Sequence, residues 1–456
     1  NGKKKVLASV LAGLALVGGA VAGNPAHAIV SSDGSINTEG SRIDIHANAK
    51  PANSVGVNSI VVGYQNRTDN EDGTTALGAN NQATGNSGLA VGNQNESSGG
   101  ASTAIGAGNR AAGAATVAIG NVSNANAQSA IAIGSYNNVD WTKGTWQTAP
   151  KNAGAFSTVV GNYSSATGRE SAAMGVYSNS AGPGSFAAGY KENALGQNSV
   201  AIGSENTSHV ADTITLGQSN NAKTMGGISI GKNNLTDSTN GGRNFAATAD
   251  ENSQIAIGRD NEATHLDTIA IGRETKASGS GATVIGARAE ASGNNAIAIG
   301  QSGKGSPKVI ASGENAIAVG MQSQAADASG IAIGAASNST GDYAIAMGRL
   351  SRASEKNATA LGNEAKATFE TGVALGSNSL TTSDKGVVGY NPSDLHNRKY
   401  TNLKGNVQTA THAAVSIGAD GNLTRQLTGL AAGTKDTDAV NVAQLKNVGV
   451  AVTGNT

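Results

Sequence analysis

The chain has 456 residues, of which 64 are glycine, 38% are hydrophobic and only 3% are aromatic, too few large apolar side chains for the interlocked core of a large globular enzyme. Its 31 basic and 31 acidic residues cancel, and beyond Lys3, Lys4 and Lys5 no basic run forms a phosphate-neutralising surface, so no nucleic-acid partner is expected. Cysteine is absent, so an exported chain of this kind must be held by repeated pairing or by association rather than by disulfides.

Lys3 to Lys5 precede an apolar stretch from Val6 to Ala22, followed by Asn24-Pro25 and Ala26-His27-Ala28. This is the pattern of a secretory signal peptide over 1–28 with a small-residue cleavage site, and the glycines within it dilute the alternative of a transmembrane anchor. The chain opens on Asn1 and stops at Thr456, and is read as a piece of a longer protein. Residues 29–54 form an N-terminal segment.

From 55 to 390 one pattern dominates. Apolar-small-apolar-Gly segments end at glycines from Gly63 to Gly376, and 16 of the 20 intervals between these glycines are 14 residues. The longer intervals read as loop insertions near 136–153, 232–252 and 302–308, with the period otherwise intact. Within a unit such as Val200-Ala201-Ile202-Gly203 the alternation is strand-like. The residue two before the glycine is Ala in 16 of 21 units. After the glycine, small residues three and five positions on mark a second short strand. A second glycine seven residues on (Gly85, Gly99, Gly196, Gly279) marks a second turn that is expected to need positive φ.

Two strands and two turns make one coil, so the expected fold is all-β, a parallel β-roll of 14-residue coils. The branched residues are expected to fill the interior, leaving an Ala-lined outer face for lateral association. A lone roll this thin would be marginal, because each coil buries few large side chains while ordering 14 residues at roughly 1–2 kcal/mol each.

Past Gly376 the chain becomes more polar over 391–418, a connector that ends in the strand-like Ala414 to Gly418. Then comes RQLTGLAAGTKDTDAVNVAQLK, Arg425 to Lys446. Asp436 or Thr437 is placed to cap a helix, and Val442 and Leu445 at spacing three begin a coiled-coil seam. This run resembles the neck of the trimeric autotransporter adhesins, and the coils ending in Ala-Ile-Gly resemble the YadA-like head of that family. The resemblance implies a left-handed roll, three copies side by side as a homotrimer, a neck over 419–447 joining the rolls to a coiled coil, and a stalk starting at 448–456. It also implies Arg425, Leu427, Leu430, Asp438, Val440, Val442 and Leu445 as oligomerisation residues, type V secretion, display on the bacterial surface, and an outer-membrane anchor downstream of this chain. Gly449 to Thr456 does not continue the heptads.

Catalysis finds little footing. His27, His46, His209, His265, His396 and His412 have no metal-ligand spacing, and no phosphate-cradling Gly loop precedes a helix with Lys; neither a cofactor nor a metal is expected. The resemblance implies that repeats of the type Ser-Val-Ala-Ile-Gly-x-x-Ser bind collagen. The nearest stretches give Val117, Ile119 and Ser123, and Ser199, Val200 and Ile202, as candidates, although these residues equally serve to build the roll. Trp141 and Trp146, both in the first insertion, are either an exposed anchor for a partner or packing for the loop itself. The function expected is non-enzymatic adhesion to a host matrix protein (collagen-like, fibronectin or laminin) or a cell-surface receptor. The alternative is a self-associating fibre for autoaggregation or biofilm.

Overall fold

A computed structural model describes residues 42–46, 59–68, 73–137, 154–237, 253–390 and 405–453. The signal-peptide reading of 1–28, both tryptophans and the first part of the 391–418 connector lie outside these residues. The chain divides into two compact units, 1–178 and 179–456.

In the first unit, five-residue strands such as Thr75–Ala79, Leu89–Asn93 and Val117–Asn121 stack in parallel with glycine on glycine. Two-residue strands from Arg67–Thr68 to Asn124–Ala125 form a second parallel sheet. The first sheet begins before the first glycine-terminated repeat, with Arg42–His46 paired on Ser59–Tyr64. Across the first insertion Ile131 still pairs with Thr158 and Gly134 with Gly161, so the extra residues leave the coil without shifting its register.

The second unit repeats the plan. Long strands run from Phe186–Tyr190 onward, shortening to three residues from Ile317–Val319. Register holds across the second insertion, where Ile228 pairs with Ile255, and across the third, where Ile297 pairs with Ile317. The last rung is supplied from a distance: Val415–Ser416 lies parallel on Val373–Leu375.

The interior reverses the expected parity. Ala201, between Val200 and Ile202, is fully buried, as are Ala194 and Ser199, whereas Ile202 is 36% exposed. The same holds throughout: the residue two before the glycine points inward and its branched neighbours point outward. Alternation defines two faces but not which is inside. The short strand decides, because it contributes one small inward residue per coil and leaves the sheets so close that a methyl fills the gap and an isoleucine would not.

Polar ladders compensate for this thin apolar core. In the first unit, Asn66, Asn81, Asn95 and Asn109 stack on successive coils. Asn95 donates through Nδ2 to Asn81 Oδ1 at 2.9 Å, to Val91 O at 2.9 Å and to Gly106 O at 2.8 Å, and its backbone N–H also reaches Asn81 Oδ1. Ser123 continues the column with Oγ donating to Gly134 O. The second unit builds the same column from Asn206, Asn220, Asn234 and Asn261.

Both turns use a left-handed residue, though not where the second glycine stands. Gly78 has φ +115°, and a Cβ there would lie 2.1 Å from Gly92 O; Asn80, two residues on, has φ 56°. In the second turn Gly85 does not take positive φ. It is glycine because a Cβ would come 2.1 Å from Gly99 O, and the left-handed residue is Ser87, at φ 55°. Each coil is thus two half-turns built alike.

The helix at the end is Val442–Thr453, and it runs through Gly449 despite the broken heptad. Its cap is Asn441, later than Asp436 or Thr437. Asn441 Oδ1 accepts the Gln444 N–H at 3.0 Å while Gln444 Oε1 accepts the Asn441 N–H at 3.1 Å, a reciprocal capping box. Asp438 serves the preceding turn, accepting from the N–H groups of Thr434 and Lys435, and these bonds hold its carboxyl below the usual range.

Candidate adhesive and assembly surfaces

Because the interior takes the alanines, the long strands present Ile, Val, Leu and Met outward in columns one coil apart. In the first unit this face includes Ile133, Val160 and Met174; in the second, Ile202, Ile285, Ile299 and Met347, all more than a third exposed. Contiguous apolar surface of this kind is uncommon on a solitary soluble chain. The neck continues the theme: Leu427, Leu430, Val440, Val442 and Leu445 are all exposed.

The collagen-type candidates separate by parity. Val117, Ile119, Val200 and Ile202 sit on the outward face, but Ser123 and Ser199 are wholly buried. Ser199 Oγ donates to Gly196 O at 2.7 Å. The two serines are therefore corrected to interior positions, since side chains closed inside the coil cannot touch a ligand. Arg425 is turned onto its own chain. Its guanidinium donates to Ser379 Oγ at 2.9 Å and to the carbonyls of Ser377 and Ile417, closing the last coil.

Two surface features follow from the 14-residue period once residues are aligned by coil. Tyr136, Tyr163 and Tyr177 each stand two residues past a glycine, and their rings stack with centroids 4.9 and 5.1 Å apart. Opposite charges meet across neighbouring coils, as in Glu96 with Arg110 at 3.2 Å, Lys191 with Glu205 at 3.4 Å and Glu262 with Lys276 at 3.4 Å. Among the described residues no cluster of three or more His, Asp or Glu is arranged for a metal ion, and no helix is long and apolar enough to cross a membrane.

Two family models match the chain. The YadA head domain repeat matches at 54–81, 70–95, 166–191, 193–208, 277–302, 311–337, 328–351 and 353–379, and the coiled stalk of trimeric autotransporter adhesin matches at 426–456. The chain belongs to the YadA-like trimeric autotransporter adhesins. Among solved structures, the collagen-binding domain of the Yersinia adhesin YadA is similar at 30% identity, covering 43% of this chain and 82% of that one, with a TM-score of 0.27. Comparison with curated protein sequences returned no match. In this YadA-like head, then, the coil is the repeating unit of the roll, and the stalk match covers all of the helix Val442–Thr453.

Proposed function

We propose that this chain is the attachment head of a surface-displayed homotrimer that adheres to host extracellular matrix or a cell-surface receptor without chemical turnover. Membership in a family of trimeric adhesins supports the trimer and the cell-surface location. The observation that carries the reading is the outward apolar face, repeated coil after coil and continued into the neck by Val440, Val442 and Leu445. Two further copies related by a three-fold axis would cover it. The surfaces left outside would then repeat both along each roll and around the axis, so that many weak contacts in register hold a fibrous ligand by avidity.

Collagen is the first matrix protein to test, with fibronectin and laminin beside it, because the Yersinia relative is named for binding collagen. Purified chain is passed over each immobilised protein. Saturable binding to one of them supports the reading. Binding to none, with aggregation of head-coated beads, would favour the self-associating fibre instead.

A further inference from the structure

Across neighbouring coils this chain pairs unlike charges again and again, and the longest departure from that habit among the described residues is a column in the second unit. Lys232, Arg259 and Arg273 are cross-strand partners in consecutive coils, Lys232 on Arg259 and Arg259 on Arg273. All three are exposed at the end of the long strands. Adjacent strands lie about 4.8 Å apart, so three like charges are stacked along a short line. Like charges directly opposite destabilise a sheet.

Their surroundings do not relieve this. Arg259 meets Asp260 at 3.3 Å, but among the described residues neither Lys232 nor Arg273 has a carboxylate partner. The other carboxylates at this height are committed: Asp237 to Lys223, Glu262 to Lys276 and Glu274 to Arg288. Among the described residues Asp267 alone at this height has no cation partner, and it stands at the left-handed position of the second turn, at φ 55°. Among the described residues at this height, a parallel copy of the chain therefore brings Asp267 as its one uncommitted carboxylate.

We propose that Lys232, Arg259 and Arg273 form a docking line for a sulfated polysaccharide of the glycosaminoglycan class, laid along the stacking direction. The spacing of the cations is close to the length of one sugar residue in an extended polysaccharide, so sulfates and carboxylates on successive sugars meet successive coils. The column has no aromatic side chain among its cross-strand neighbours Gln218, Lys232, Arg259, Arg273 and Ala287, so it offers no platform for nucleic-acid bases. A second, shorter like-charge stack, Arg352 on Lys366, lies on the other sheet and provides an internal comparison. This inference deepens the adhesin reading by naming a ligand class, and it uses residues that the apolar face does not.

The test is binding of the full chain to immobilised heparin, to desulfated heparin, to duplex DNA and to collagen, at low and physiological salt. Heparin is expected to bind in a salt-dependent, sulfate-dependent manner. The double variant Lys232→Gln with Arg273→Gln is expected to weaken it about tenfold or more, with collagen binding and circular dichroism unchanged. Arg352→Gln with Lys366→Gln removes equal charge and is expected to leave most heparin binding in place. Loss of heparin binding to the same degree in both variants, equal binding of DNA, or no heparin binding at all would overturn the proposal. Binding of collagen, fibronectin or laminin without heparin sinks only this inference; binding of none of the four sinks the adhesin reading as well.

Discussion

Asn81 Oδ1 accepts two hydrogen bonds from Asn95, one from its backbone N–H at 3.1 Å and one from Nδ2 at 2.9 Å. The amide of one coil thus dictates the position of the next, and the roll is held as much by this buried column as by its alanines. Asn95→Ala leaves Val91 O, Gly106 O and Asn81 Oδ1 short of donors, and is expected to lower stability by about 2–3 kcal/mol. Asn95→Ser is expected to cost about half as much, because Ser123 fills the same place one coil beyond Asn109. Urea denaturation of both variants checks the order.

Glycine and its left-handed neighbour respond in opposite directions. At Gly203 φ is +128° and a Cβ would stand 2.0 Å from Gly217 O, so Gly203→Ala is expected to disrupt the coil and cost more than about 3 kcal/mol. Leu350 takes φ 56° with its side chain 40% exposed, so Leu350→Gly removes left-handed strain and is expected to be neutral or stabilising by up to about 1 kcal/mol. Thermal melting of the two variants reads the contrast.

Glu192 stands at the asparagine column's place in the second unit, fully buried, with Oε1 accepting from Asn206 and Oε2 without a partner. Burial raises its carboxyl to about 7, partly opposed by the bonds from Asn206. The folded chain therefore holds this proton more tightly than the unfolded one. Its stability contribution is intact below the ordinary carboxylate range and declines as pH rises toward 7, by on the order of 2 kcal/mol. Glu192→Asn is expected to remove that decline and raise stability at pH 7.5. A variant whose stability between pH 5 and 7.5 follows the parent's slope would contradict this.

Arg425 closes the final coil through three acceptors and packs over Gly376. Arg425→Ala is expected to cost about 2 kcal/mol, and Arg425→Lys to recover little of it, because an ammonium cannot reproduce the planar fork. Hydrogen exchange at Ser379 and Leu380 would show the end of the roll opening first.

The period and the strand-turn rhythm were legible in the sequence because a parallel roll must place equivalent residues one coil apart, and Gly134 still falls on Gly161 across the first insertion. Which face turned inward was not legible. Val200-Ala201-Ile202 reads equally well either way, and only the closeness of the second sheet selects Ala201. The second-turn glycines were visible, but Gly85 serves close backbone approach while Ser87 adopts the left-handed conformation, and composition alone cannot separate these roles. The neck motif was plain, whereas the contact of Arg425 with Ser379 joins residues 46 apart and leaves no local trace. The tyrosine column was within reach: Tyr136, Tyr163 and Tyr177 share one place in the repeat.

In the proposed homotrimer, two further copies cover the outward columns of Ile and Val. Sedimentation equilibrium of the full chain across a wide dilution range tests it most directly. A single species of three times the chain mass is expected, with Ile202→Asp and Leu445→Asp together shifting it toward single, less stable chains. A stable, fully folded single chain at every concentration would contradict it.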